Sequence, residues 1–157
     1  MIQLSTPVST QRCEGIVKIL NTILVDEYVL YTKTRNALLV VKEARFFELN
    51  KYFDFQQKEL DKIIKQLADH IRSLGHFALG SLKDFLNTTN LLKDTIDFKD
   101  PFLILQALIQ KHEYIIKNIR TLLIPTVNIY NDLATADFIL HLMIQHKKMA
   151  WMLSIYK

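Results

Sequence analysis

A chain of 157 residues, half of them hydrophobic and with a formal net charge of +4, suffices for one domain with a proper core. Charged residues break every apolar run well short of the about 18 residues that a membrane span needs, and Met1-Ile2-Gln3-Leu4-Ser5-Thr6-Pro7 lacks the basic and apolar regions of a signal peptide. The single cysteine, Cys13, excludes an internal disulfide and a cysteine zinc cluster. A cytoplasmic protein without a membrane partner is the default expectation.

Three glycines and three prolines, against a usual share of about 12%, predict few, long elements, and nothing reads as strand. After a short tail over 1–8, the first helix is expected from about Ser9 to Leu39. Ile16, Ile19, Leu20, Ile23, Leu24 and Leu30 recur there at steps of three and four, and Ser9 or Thr10 can cap it. Cys13 reads as a small apolar residue near its start. The second helix, from Ala44 to Leu74, carries a stripe at Phe53, Gln57, Leu60, Ile64, Leu67, Ile71 and Leu74, the spacing of packed bundle helices. Gly75 stands where a left-handed C-cap belongs.

From His76 to Lys99 the chain is a link with one short amphipathic piece at Leu79, Leu82, Phe85 and Leu86. About 25 residues is far more than a helical hairpin requires, and enough to run the length of a bundle. Asp100 then caps a helix with Pro101 in first position. Its face is Leu105, Leu108, Ile109, Ile115, Ile116, Ile119 and Leu122, and it is expected to end near Pro125. The last helix starts at Asp132 or Thr135 and points Phe138, Leu142, Met149 and Met152 inward. Residues 1–157 form a single all-α domain, a four-helix bundle with a long crossover.

Asn50, Asp54, Lys65 and Asp69 lie along one stripe of the second helix. Eleven residues at 100° each bring Lys65 within about 20° of Asp54, yet about 16 Å away along the axis. They cannot meet within one helix. The pairs 54/65 and 50/69 share a midpoint between Glu59 and Leu60, so two antiparallel copies crossing there would set Asp54 against Lys65 and Asn50 against Asp69. A two-fold contact is self-complementary in this way.

Three motifs in order carry a resemblance. Glu43 to Gly75, with Phe46-Phe47-x-Leu49 at its start and Arg72-Ser73-Leu74-Gly75 at its end, resembles helix B of the Dps mini-ferritins. Leu79-Gly80-Ser81-Leu82-Lys83-Asp84-Phe85-Leu86 is similar to the family's crossover helix. Asp132-x-Ala134-Thr135-Ala136-Asp137-Phe138 through His146-Lys147-x-x-Ala150-Trp151-Met152-Leu153 is similar to its closing segment. The resemblance implies a ferritin-like bundle assembled as a dodecamer through two-fold dimers, with iron as the metal handled.

The family oxidises iron between two subunits, with two histidines and an aspartate from one and an aspartate and a glutamate from the other. Those positions fall on Leu38, Asn50, Asp54, Lys65 and Asp69. Only Asp54 is retained, and Asp69 is a shortened glutamate. Leucine has no donor atom, asparagine offers a neutral amide, and lysine opposes a cation directly. The usual tryptophan is Leu39, and the glycine before the Phe-Phe pair is Glu43. The expectation is an inactive centre in which Lys65 pairs with the mate's Asp54, with Asp54 and Asp69 as the residual metal-binding carboxylates. The family's acidic pore is reduced to Asp132 and Asp137.

No glutamate has a histidine three residues on, and His70, His76, His112, His141 and His146 read as structural or surface residues. No phosphate loop or nucleophile motif stands in for the lost centre. The N-terminal tail is poor in lysine, so tail-driven DNA binding is not expected. Twelve chains at +4 each would carry about +48, enough for salt-sensitive, sequence-independent DNA binding by an outward basic face. Lys58, Lys62, Lys93, Lys99, Lys147 and Lys148 are its candidates. The functional expectation is a Dps-like stress-protection cage of iron-storage ancestry without ferroxidase chemistry. The alternatives are a working mini-ferritin that oxidises iron(II) with peroxide or oxygen, and a structural partner of an active paralogue.

Overall fold

The computed structural model describes residues 10–41, 47–89, 91 and 100–156. Five helices follow one another: α1 (Thr10–Val40), α2 (Phe47–Ser73), α3 (Leu82–Thr88), α4 (Pro101–Asn128) and α5 (Leu133–Ser154), with no strand among the described residues. The Ser9 cap, the second helix's expected start at Ala44, and Glu43, Phe46, Lys93 and Lys99 lie outside the described residues.

Cross-helix contacts fix the directions. The Cys13 thiol of α1 donates to the Leu74 carbonyl (3.4 Å) just past α2, and Gln57 of α2 donates to the Tyr31 hydroxyl of α1 (3.1 Å). Low numbers on α1 therefore meet high numbers on α2. By the same reasoning α2 runs against α5 (Gln56 with Met149, His70 with Thr135). A short turn folds α5 back along α4, where His112 meets His146. The order is up, down, down, up. Because α2 and α4 point the same way, the chain between them must travel the bundle's length, the single long crossover of ferritin-like topology.

The core is filled from all four long helices. Leu20, Ile23, Leu24 and Leu30 of α1 pack with Phe53, Leu60, Leu67 and Ile71 of α2, Leu105, Leu108, Ile115 and Ile119 of α4, and Ile139, Leu142 and Leu153 of α5. Each such side chain contributes about 1.5–3 kcal/mol on burial. Of the sequence's inward residues, Ile109, Ile116, Leu122, Phe138 and Met152 are partly buried and pack against this core.

The start and stop signals perform as their chemistry dictates. Asp100 accepts from the Phe102 N–H (2.8 Å) ahead of Pro101, and Asp132 accepts from the Thr135 N–H (2.9 Å) at the head of α5. Gly75 has φ 84°, the left-handed geometry a C-cap needs.

Three expectations are corrected. α4 does not end at Pro125 but continues to Asn128. The proline ring can serve no carbonyl one turn back, but that carbonyl belongs to exposed Thr121, where water can satisfy it. Gln57 is not the glutamine of the core stripe: it is half-buried at the α1 side, and Gln56 is the fully buried one. In α3 no residue is buried. Phe85 stacks on Tyr28 at 4.7 Å and half-buried Thr88 lies beside α1, while Leu82 and Leu86 are exposed. Among the described residues no helix is long and apolar enough to cross a membrane.

Candidate functional site

The structure places the resemblance-derived positions in two groups. Leu38, Asn50 and Asp54 line one open cavity of about 320 Å³, together with Phe47 and Lys51. Lys65 and Asp69 are exposed further along α2, Lys65 about 16 Å from Asp54 by helical rise. The cavity offers little to a metal ion. Asn50 spends its amide on the Val41 carbonyl at the end of α1 (2.8 Å), leaving its Oδ1 buried without a hydrogen-bond partner. Asp54 accepts from Lys58 one turn on (2.6 Å), a partner the sequence reading did not assign to it. One carboxylate already paired with an ammonium, one amide and one leucine do not fit ferrous iron, which favours imidazole and free carboxylate donors.

The pore candidates separate as well. Asp132 uses both oxygens on Thr135, one on its N–H and one on its hydroxyl (2.6 Å), so its first role is to cap α5. Asp137 is exposed. His70 is held by the Thr135 hydroxyl (2.9 Å) and stacks on Phe138 at 4.7 Å, and burial lowers its pKa against the raising effect of Asp132. His76 is half-buried and His141 exposed, as surface or structural histidines would be. Cys13, half-buried, has its thiol pKa raised by burial and by nearby Asp132 and Glu14, which suits an unreactive packing residue.

The densest polar chemistry lies elsewhere, in the middle of the bundle. Glu27 of α1, Gln56 of α2, His112 of α4 and His146 of α5 are each 0% exposed. They form a chain. Glu27 Oε1 lies 2.7 Å from His146 Nε2, His146 Nδ1 lies 2.9 Å from His112 Nδ1, and Gln56 Nε2 lies 3.5 Å from His112 Nε2. Gln56 also donates to the Met149 carbonyl (3.2 Å).

Proton bookkeeping assigns one consistent arrangement. A hydrogen-bond sense that runs in one direction has His146 Nε2 donating to Glu27 Oε1 and His146 Nδ1 accepting from His112 Nδ1. His112 must then donate from Nδ1 and accept at Nε2, where an amide N–H of Gln56 stands. His112 is neutral: burial, and then the neighbouring His146, hold its pKa well below the ordinary histidine value. Two acceptors of the chain, Glu27 Oε2 and Gln56 Oε1, are buried with no hydrogen-bond partner.

Next to Glu27, Asp26 makes a separate network that pins the crossover. It accepts from the Thr89 hydroxyl (2.7 Å) and the Asn118 amide (3.1 Å), and the Leu91 N–H donates to Thr89 Oγ1 (3.0 Å). Burial pushes Asp26 up to about 6. The Thr89 and Asn118 bonds oppose that shift, and Glu27 adds to it.

The sequence reading passed over the interior chain because its members come singly from four helices. A signal was present. Each sits in register with its helix's apolar stripe: Glu27 between Ile23 and Leu30, Gln56 between Phe53 and Leu60, His112 between Leu108 and Ile115, His146 between Met143 and Met149. Polar residues at core spacing on each of the four long helices must find one another, because a lone buried polar group is costly.

Four antiparallel-packed helices, one crossover helix and polar side chains gathered at the bundle centre define a ferritin-like bundle. A ferritin-like domain model matches residues 17–156, and the chain belongs to that family. It is 29% identical over 153 residues to an uncharacterized low temperature-induced protein of Nostoc sp., covering 98% of this chain and 86% of that protein. It is 23% identical over 141 residues to DNA protection during starvation protein 2 of Bacillus anthracis, covering 90% and 95%. Among solved structures, DpsC from Streptomyces coelicolor superposes with a TM-score of 0.89 at 18% identity, covering 99% of this chain and 90% of its own. The Dps protein of Vibrio cholerae superposes with a TM-score of 0.83 at 22% identity, covering 94% and 92%. The fold is therefore that of the Dps proteins.

Proposed function

We propose that this chain is the subunit of a cytoplasmic, Dps-like protective cage whose between-subunit iron-oxidising position has fallen silent. The observation that carries the reading is the state of Asp54, the one retained ligand. It is bound to Lys58 at 2.6 Å and shares its cavity with Leu38 and the amide of Asn50 rather than with histidines. Subunits pair about a two-fold axis on α2 and build a dodecamer. There Lys65 faces Asp54 of the partner subunit and takes the electrostatic place a metal ion would fill. Protection then comes from the shell itself. Exposed lysines such as Lys147 and Lys148 of α5 contribute to a sequence-independent attraction for DNA phosphates. Lys58 and Lys62 contribute less, since Asp54 and Glu59 already occupy them.

Iron(II) oxidation followed by absorbance, with oxygen and then peroxide, tests the silent centre. The expected rate equals that of buffer. A saturable acceleration removed by Asp54→Ala with Asp69→Ala would restore the reading of a working mini-ferritin. A gel-shift titration across salt tests the shell: affinity is expected to fall steeply between 50 and 200 mM salt, as it does by about 10³-fold or more for proteins making several phosphate contacts.

A further inference from the structure

We propose that the cleft between α2 and α5 binds a planar aromatic carboxylate of one or two rings that also carries a hydroxyl or N–H donor. The cleft does not rest on the function proposed above. Tyr52, Glu59 and Ile63 lie about 140–180° around α2 from Asp54, on the side turned away from the stripe assigned to the two-fold contact.

The cleft exists because α2 and α5 keep their distance. α1 packs closely on α2 and α4 on α5, whereas α2 and α5 are joined mainly by side chains: Tyr52 and Gln56 reach the Met149 carbonyl, and His70 reaches Thr135. The space between them is about 260 Å³. A dry apolar cavity of about 150 Å³ accepts benzene, so this one has room for one ring or two fused rings. Its walls suit a flat ring system. Tyr52, Phe55 and Ile63 line it from α2, and Met149 and Met152 from α5. Tyr52 stacks with Phe55 at 5.8 Å and with Tyr156 at 5.9 Å, which holds the aromatic wall in place. Methionine sulfur packs favourably against aromatic rings, and its flexible chain adapts to their outline. The Tyr52 hydroxyl donates to the Met149 carbonyl (3.3 Å), and burial pushes its pKa up to about 12, so it presents a neutral ring rather than a charge.

Two polar groups in the same lining define the rest of the ligand. Gln145 Oε1 is buried with no hydrogen-bond partner among the described residues, and a donor on the ligand would satisfy it. Lys148 is exposed, and its ammonium has no carboxylate partner among the described residues. The carboxylate in the lining, Glu59, is already held by Lys62 at 2.6 Å, so the uncompensated charge at the cleft is positive. Gln145, Lys148, Met149 and Met152 fall within about 100° of one another on α5, so acceptor, cation and both sulfurs address one molecule together. An apolar cavity with a few convergent polar groups is the usual form of a small-ligand site.

The test titrates the full-length assembled protein with 6-hydroxy-2-naphthoate, read by equilibrium dialysis and by the probe's own fluorescence. Saturable binding of one molecule per chain is expected. 2-Naphthoate, which lacks the donor, should bind about 10-fold more weakly, and 2-naphthol, which lacks the charge, about fivefold more weakly. Lys148→Ala should weaken the hydroxynaphthoate by about fivefold, while Lys147→Ala, at the neighbouring exposed lysine, should leave it unchanged. Gln145→Leu should erase the difference between hydroxynaphthoate and naphthoate. Circular dichroism checks the fold of each variant, and the comparison of probes on the unaltered protein decides the matter for any variant that misfolds. Absence of saturable binding, equal affinity for the three probes, or tighter binding of decanoate would overturn the proposal. An equal loss from Lys147→Ala and Lys148→Ala would do so too, by showing a merely basic surface.

Discussion

The stripe on the outer side of α2 and the chain inside the bundle are both sets of four polar residues, and they behave in opposite ways. Asn50, Asp54, Lys65 and Asp69 share one helix, are partly or fully exposed, and meet only small local partners such as Lys58 and the Val41 carbonyl. Glu27, Gln56, His112 and His146 come from four helices, are fully buried, and contact one another in sequence, with Glu27 Oε2 and Gln56 Oε1 left over. Polar groups on a surface stripe can await a second chain, because water holds them meanwhile. Polar groups in a core cannot wait; they must be paired as the helices close.

This contrast predicts a ranking of mutational effects. The largest belongs to the interior: Glu27→Ala strands the His146 N–H in the core and should cost about 3–5 kcal/mol in chemical denaturation, as breaking a buried pair does. A loss below 1 kcal/mol would mean that the chain carries no structural weight.

Asp26 comes next and has a sign of its own. Its folded pKa of about 6 lies above the ordinary value of 3.8, so the folded state holds a proton that the unfolded state has released between those values. Stability contributed by that protonated form is present at low pH and falls as pH rises through about 6. Asp26→Asn should flatten this part of the pH profile, while leaving either the Thr89 hydroxyl or the Asn118 amide without its acceptor. Unfolding midpoints at pH 4.5 and 7 that shift in parallel for both proteins would contradict it.

On the α2 stripe, Lys65→Ala should leave the folding of a chain unchanged and weaken the dimer by about 1–2 kcal/mol. Sedimentation of diluted samples would show it, and an unaltered dissociation curve would remove Lys65 from the interface. The smallest effect is Lys58→Ala. Its pair with Asp54 is 69% and 48% exposed, so thermal unfolding should move by less than about 0.5 kcal/mol.

How much of this was legible in the sequence follows the same division. Local chemistry was readable: Asp100 with Pro101, Asp132 and Gly75 each mark a helix end through bonds made within a few residues. Periodicity gave the four long helices and the crossover. It erred where partners decide. Gln56 and Gln57 differ by one position on a broad helix face, and partners on other helices, the Met149 carbonyl and His112, select Gln56 as the buried one. Pro125 was read by its intrinsic cost, whereas the exposed end of α4 lets water meet that cost. The α2 stripe was visible because its members share a helix. The His112–His146 contact was not, because nothing in either helix names the other.

One small residue lies in phase with the interior networks of α1. A side-chain carbon on Gly15 would overlap the ring of Tyr130, which lies against α1 from the turn after α4. Asp26 follows Gly15 by eleven residues, three turns and about 20°, so it leaves α1 in nearly the same direction and meets Asn118, twelve residues before Tyr130. The ring in its notch thus acts as an index mark. Together with the buried stripe of Ile16, Leu20, Ile23, Leu24 and Leu30 it suits one rotational phase of α1, in which one of the two adjacent carboxylates faces the crossover and the other the histidines.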